Sequence, residues 1–180
     1  MIGGVWKRTR LPVADRPGLR PTPDRVRETV FNWLGQSLDG WRCVDAFAGS
    51  GALGFEAASR GAAEVVLVER DATLVASLNA VRLRLGAHNV RVERGDAVQW
   101  LARAAARSAD LVFLDPPFDS DLLAPALAAA ASIVRDGGFV YVEAPTPVDA
   151  EAAAALGLAP HRDARAGAVH YQLLRRSALG

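Results

Sequence analysis

The stretch 43–61, CVDAFAGSGALGFEAASRG, decides the fold. Residues 43–47 are apolar apart from Asp45, which suits a buried strand. Gly49, Gly51 and Gly54 follow in the spacing G-x-G-x-x-G, and 52–61 then reads as an apolar helix closed by Gly61. Glycines between a strand and a helix let the backbone turn tightly. They also let it approach a ligand that faces the helix N-terminus.

Downstream, short apolar runs alternate with amphipathic or alanine-rich segments. Strands are predicted at 64–69, 89–94, 110–115 and 138–143, with a closing strand at 168–176 that pairs with one near 158–163. Helices are predicted at 71–86 with Asp71 as N-cap, and at 96–107, 121–134 and 148–156. This alternation predicts an α/β protein with a parallel sheet covered on both faces, binding its ligand beyond the carboxyl ends of the strands. Upstream, 2–13 alternates and is basic, which predicts a hairpin. A proline-rich connector follows, and Asp24 is expected to cap a helix over 25–36 with Val26, Val30, Phe31 and Leu34 on one face. Residues 1–23 are thus read as a basic arm of one domain whose body is 24–180.

Composition bounds the function. The chain has 180 residues, is 51% hydrophobic and 23% charged, and holds a single cysteine. That describes one globular domain without a disulfide framework or a cysteine zinc site. The sequence shows neither a signal-peptide pattern nor an uninterrupted apolar span, so the expectation is a cytoplasmic monomer with no membrane or metal partner. Residues 1–42 hold eight basic and four acidic side chains, whereas the rest is net acidic. Lys7, Arg8, Arg10 and Arg20 in the arm are therefore candidates for contacting a polyanion, against the alternative of a solvated edge.

Glu69 lies twenty residues after Gly49, at the end of its strand, where a carboxylate can accept hydrogen bonds from a ribose diol. NAD and S-adenosylmethionine both suit that arrangement, and Asp45 decides between them. A carboxylate at the mouth of the first strand would repel a pyrophosphate by roughly 1 kcal/mol or more, but it suits the ammonium and sulfonium of S-adenosylmethionine. Asp96 is placed either to accept from an adenine amine or simply to cap its helix. Ala48, Arg70 and Ala97, beside these residues, and Asp115 further on also belong to the candidate cofactor set.

The run FLDPPF, 113–118, ends the fourth strand. Asp115 can accept from an exocyclic amine. Pro116 and Pro117 lack an N–H and fix the chain so that a carbonyl can face the same amine. Phe118 offers a ring to a base turned out of its helix. Gripping both amine hydrogens favours the pyramidal nitrogen whose lone pair can attack a methyl group. Catalysis would then be mostly alignment and desolvation, with Asp115, Pro116 and Phe118 as the catalytic set. His88, His161 and His170 lack metal-ligand spacing, and Cys43 reads as core. Trp6 reads equally as a stacking platform and as hairpin packing.

With GLRPTPDRVRETVFNWL (18–34), DAFAGSGALGFEAASRGA (45–62) and VFLDPPF (112–118) in that order, the chain resembles bacterial methyltransferases that modify guanine N2 in small-subunit (16S) ribosomal RNA. The resemblance implies a Rossmann-like S-adenosylmethionine-dependent methyltransferase fold, with a seven-stranded sheet, the last strand antiparallel, and an N-terminal extension that touches RNA. It implies that the glycine loop, Glu69 and Asp96 hold S-adenosylmethionine and that the substrate is 16S ribosomal RNA in an assembled small subunit or late precursor. Arg20 and Thr22 match a segment folded over the methyl donor, where they would contact its carboxylate or the RNA. An adenine-N6 methyltransferase on RNA or DNA and a non-catalytic RNA-binding assembly factor are the alternative readings.

Overall fold

The computed structural model describes residues 1–13 and 22–178. After α1 (Asp24–Leu34) the chain runs β1 (Arg42–Asp45), α2 (Ala52–Ser59), β2 (Glu64–Glu69), α3 (Ala72–Leu85), β3 (Val90–Arg94), α4 (Ala97–Arg103) and β4 (Ala109–Leu114). It continues with α5 (Leu123–Ile133), β5 (Val134–Ala144), α6 (Ala150–Ala155), β6 (Leu158–Ala166) and β7 (Val169–Arg176). The seven strands form one sheet in the order β3-β2-β1-β4-β5-β7-β6, parallel except for β7, which runs antiparallel to both β5 and β6. Strand order reverses between β1 and β4, the position at which such sheets open a ligand crevice.

Alternation along the strands sorts the core into two halves. Cys43, Val65, Leu67, Leu111, Phe113, Tyr141 and Leu173 face α1, α2 and α3. Val44, Val66, Val68, Val112, Leu114, Val140 and Leu174 face α4, α5 and α6. Both faces are covered by helices, which is why these strands read as nearly unbroken apolar runs. α1 lays Val26, Val30, Phe31 and Leu34 on the first face, as its periodicity predicts. Phe31 lies 6.1 Å from Phe113, and Trp33 stacks on Tyr171 at 5.4 Å.

Four local expectations are corrected. Residues 1–13 contain no strand, so the predicted hairpin is absent there. Their amides go instead to turns and to α2: Ile2 N–H to Glu56 Oε1 (2.7 Å), Val5 N–H to the Ser59 carbonyl (2.8 Å) and Trp6 N–H to Ser59 Oγ (2.9 Å). Asp24 does not cap α1; Pro23 holds that position, and Asp24 pairs with Arg27. α4 ends at Arg103, because Ala104 leaves the helix for extended backbone (ψ 150°); beyond it Arg107 turns into the left-handed region (φ 57°) and gives its N–H to the Ser132 carbonyl. β5 begins at Val134 rather than at 138, where Val134 pairs with Ala109 before an irregularity in the ladder.

Candidate active site

β1, β2, β4 and β5 all carry a carboxylate at or just past their carboxyl ends: Asp45, Glu69, Asp115 and Glu143. Counting in twos from Cys43, Leu67, Phe113 and Tyr141 puts all four on the side of the sheet that faces α1, α2 and α3. A cavity of about 180 Å³ opens there. Asp45, Ala48, Gly49, Glu69, Arg70, Asp96, Ala97, Asp115, Pro116 and Thr22 line it, together with Ser50, Pro117 and Leu122.

The glycines act in two ways. Gly49 (φ 55°) and Gly51 (φ 81°) take the left-handed turn that carries β1 into α2. Gly51 sits behind the lining as the residue before the helix. Gly54 instead permits contact, since a Cβ there would lie 2.1 Å from Leu67 Cδ2 and 3.2 Å from Asp45. Its N–H donates to Asp45 Oδ2 at 3.0 Å, which fixes the carboxylate beneath the loop.

Asp45 is 2% exposed. Burial pushes its carboxyl up to about 7, with the charges of Glu69 and Glu143 adding to the rise and the Gly54 N–H opposing it. Burial also raises Glu69, against the N–H groups of Arg70 and Asp71. Asp96 caps α4, its Oδ1 accepting from Gln99 N–H at 2.9 Å, while the residue still lines the cavity. Capping and lining are therefore compatible roles. Among the described residues the lining holds four carboxylates and one cation, Arg70. That donor set fits a cationic ligand without phosphate and disfavours a pyrophosphate.

Other candidates lie apart. Phe118 is half-buried and outside the lining, one residue beyond Pro117. Lys7, Arg8 and Arg10 are exposed. Arg8 and Arg10 line a second groove, which shares Thr22, Ser50 and Ala52 with the cavity. Arg84 of α3 donates to the Arg10 carbonyl at 3.1 Å. Arg20 lies outside the described residues. Trp6 packs against the core. Cys43 is buried, and burial holds its thiol far above the ordinary range. No group of His, Cys, Asp or Glu among the described residues is arranged to hold a metal, and no described helix is long and apolar enough to cross a membrane.

Sequence reasoning missed Ser50, Glu56 and the role of Glu143. Ser50 stands inside the glycine loop. Glu143 had a visible signal, because YVE ends its strand as VLVE and FLD end theirs. Glu56 offered only its i,i+4 spacing to Arg60, with which it pairs at 3.4 Å, because its other partners, the amides of Ile2 and Gly3, are remote in sequence.

The family model for conserved hypothetical protein 95 matches residues 1–175. Ribosomal RNA small subunit methyltransferase D of Escherichia coli (strain K12) is 42% identical over 185 residues, covering 100% of this chain and 91% of that protein. The protein of the same name from Haemophilus influenzae is 38% identical, covering 79% and 77%. Among solved structures, "Putative methyltransferase yhhF from Escherichia coli" superposes with a TM-score of 0.84 at 40% identity, covering 99% of this chain and 98% of that one. A precorrin-6y methyltransferase from Geobacter metallireducens shares the fold at 17% identity, with a TM-score of 0.71 and coverage of 93% and 94%.

Proposed function

The chain belongs to the conserved hypothetical protein 95 family, and from that premise we propose that it is an S-adenosylmethionine-dependent methyltransferase of small-subunit (16S) ribosomal RNA, acting on the exocyclic N2 amine of a guanine. The observation that carries this reading is the meeting of a glycine loop, an acidic cavity and the DPP turn at the ends of β1 and β4. The relatives' names supply the RNA class. The choice of guanine N2 rests on the resemblance carried by DPPF and by 18–34.

When bound, S-adenosylmethionine supplies an electrophilic methyl group on a sulfonium. The chain's own residues do the rest. Ala48, Gly49 and Gly51 shape the backbone against the cofactor, with Arg70 and Ala97 beside it, and Asp45 gives the cavity its negative charge for an ammonium. Glu69 accepts from a ribose diol, and the second oxygen of Asp96 accepts from an adenine amine. Asp115 and the carbonyl of Pro116 accept the two N–H groups of the guanine amine, which turns its lone pair toward the methyl group. Asp115 or solvent takes the released proton. Phe118 stacks on the base, and Thr22 closes the cavity from the side of α1. Lys7, Arg8, Arg10 and Arg20 contact RNA phosphates.

Methyl transfer from labelled S-adenosylmethionine to small-subunit particles lacking the modification, followed by nucleoside mass spectrometry, tests the reading. N2-methylguanosine at one site is the expected product. N6-methyladenosine would reassign the base. Cofactor binding without transfer to particles, naked RNA or DNA would make the protein a non-catalytic assembly factor.

A further inference from the structure

β1, β4 and β5 are neighbours, and the proposed function uses the carboxylates of only the first two. The third, Glu143, is 4% exposed and lies behind the cavity rather than in its lining. Its Oε1 accepts two hydrogen bonds, from Tyr141 Oη at 2.7 Å and from Thr22 Oγ1 at 3.0 Å. Tyr141 is fully buried and meets the ring of Phe113 edge-on, at 5.9 Å and 75°. Glu143 is therefore held from below by a side chain that cannot move. Above it, Thr22 stands 121 residues away in sequence, just before α1, and forms part of the cavity wall.

α1 does not need this bond to dock. Val26, Val30 and Phe31 are already buried on the sheet, and Trp33 stacks on Tyr171. A buried carboxylate costs stability unless it is well partnered, so a carboxylate gripping a hydroxyl of the cavity wall is an expensive way to fasten a helix already fastened by packing. It is an effective way to fix where that wall stands. We propose that Glu143, seated by Tyr141, is a positioning residue that holds Thr22 as a wall of the cofactor cavity, so that cofactor affinity depends on a residue outside the cavity. The inference rests on the cofactor reading above and adds to it the device that closes the site.

The test is calorimetric titration with S-adenosylhomocysteine, an unreactive probe of the same cavity, on the full chain. Thr22→Val keeps the side chain's shape and removes the donor; it should weaken binding about tenfold, the size of a hydrogen bond to a charged group. Thr22→Ser should restore binding to near that of the wild type. In a double-mutant cycle with Glu143→Met, which removes the acceptor at similar size, the combined variant should bind little worse than the weaker single one, with thermal unfolding recorded for each. In turnover, the loss should appear in KM for S-adenosylmethionine with kcat little changed. Wild-type affinity in Thr22→Val, or additive effects in the cycle, would overturn the positioning role and leave the cofactor reading intact. No binding to the wild type would remove the cofactor reading itself, and the positioning role with it.

Discussion

The strand ends and the N-terminal arm solve the placement of functional groups in opposite ways. At the strand ends, the sheet ladder fixes Asp45 and Glu69 in register, Asp115 follows directly after the last paired residue of β4, and alternation determines which way all three face. In the arm, residues 1–13 form turns whose amides lean on Glu56 and Ser59 of α2. The first arrangement is rigid because Asp45 is paired with both β2 and β4, Glu69 is paired with β3, and Asp115 lies one residue beyond Leu114, which is paired with β5. The second is held by side chains more than fifty residues away in sequence. In the proposed function, chemistry sits at the ends of paired strands, whereas diffuse electrostatic contacts tolerate a looser scaffold.

The comparison breaks first at Asp115. Asp115→Ala should lower kcat by about 10³-fold, with the melting temperature changed by no more than a few degrees. Near-full turnover would mean that the strand ends do not carry the reaction.

Asp45 sharpens the same half. Its carboxyl titrates near 7 in the folded protein, well above the value of about 4 expected in the unfolded chain. Between those values the folded state holds a proton that the unfolded state has released, so this group makes stability fall as pH rises from about 4 to about 7. Asp45→Asn keeps an oxygen for the Gly54 N–H and removes the titration. The variant should match the wild type in urea unfolding at pH 4 and exceed it at pH 8, by roughly 4 kcal/mol at most. Equal differences at both pH values would show that burial does not govern this carboxylate.

The arm should respond by degrees. Neutralising Lys7, Arg8 and Arg10 together should weaken RNA binding and reduce the slope of log affinity against log salt by up to about 2. Turnover at saturating RNA should stay within a few-fold of wild type. An unchanged slope would return these charges to solvation and leave the strand ends as the whole binding surface.

The same contrast explains what the sequence made legible. β2 was legible at both ends, because a buried parallel strand is a continuous apolar run with its own polar stops. Asp71 and Gly86 bound α3 by chemistry local to each end. Elements set by remote partners were not legible. The arm alternates like a strand, but no strand pairs with it among the described residues. α4 stops early at Ala104, and the loop after it is held by a remote partner, the Arg107 amide donating to a carbonyl of α5. At the site, Asp45, Glu69 and Asp115 stood out as acids ending apolar runs, and Glu143 carried the same signal. Its partnership with Thr22 spans 121 residues, and local pattern holds no trace of such a pair.

Glu56, completely buried in α2, has a consequence in time rather than in space. Its contacts with Ile2 and Gly3 span 54 and 53 residues. Closing a loop of that length costs entropy before any bond repays it. α2 must already be formed against the sheet for Glu56 to offer its oxygens, so the arm settles after the domain's core has condensed. The expected outcome is that it lifts off and settles again while that core stays intact. The amides of Ile2 and Gly3 therefore keep a separate clock from those of β1 and β4, and their hydrogen exchange records how often the arm parts from the body.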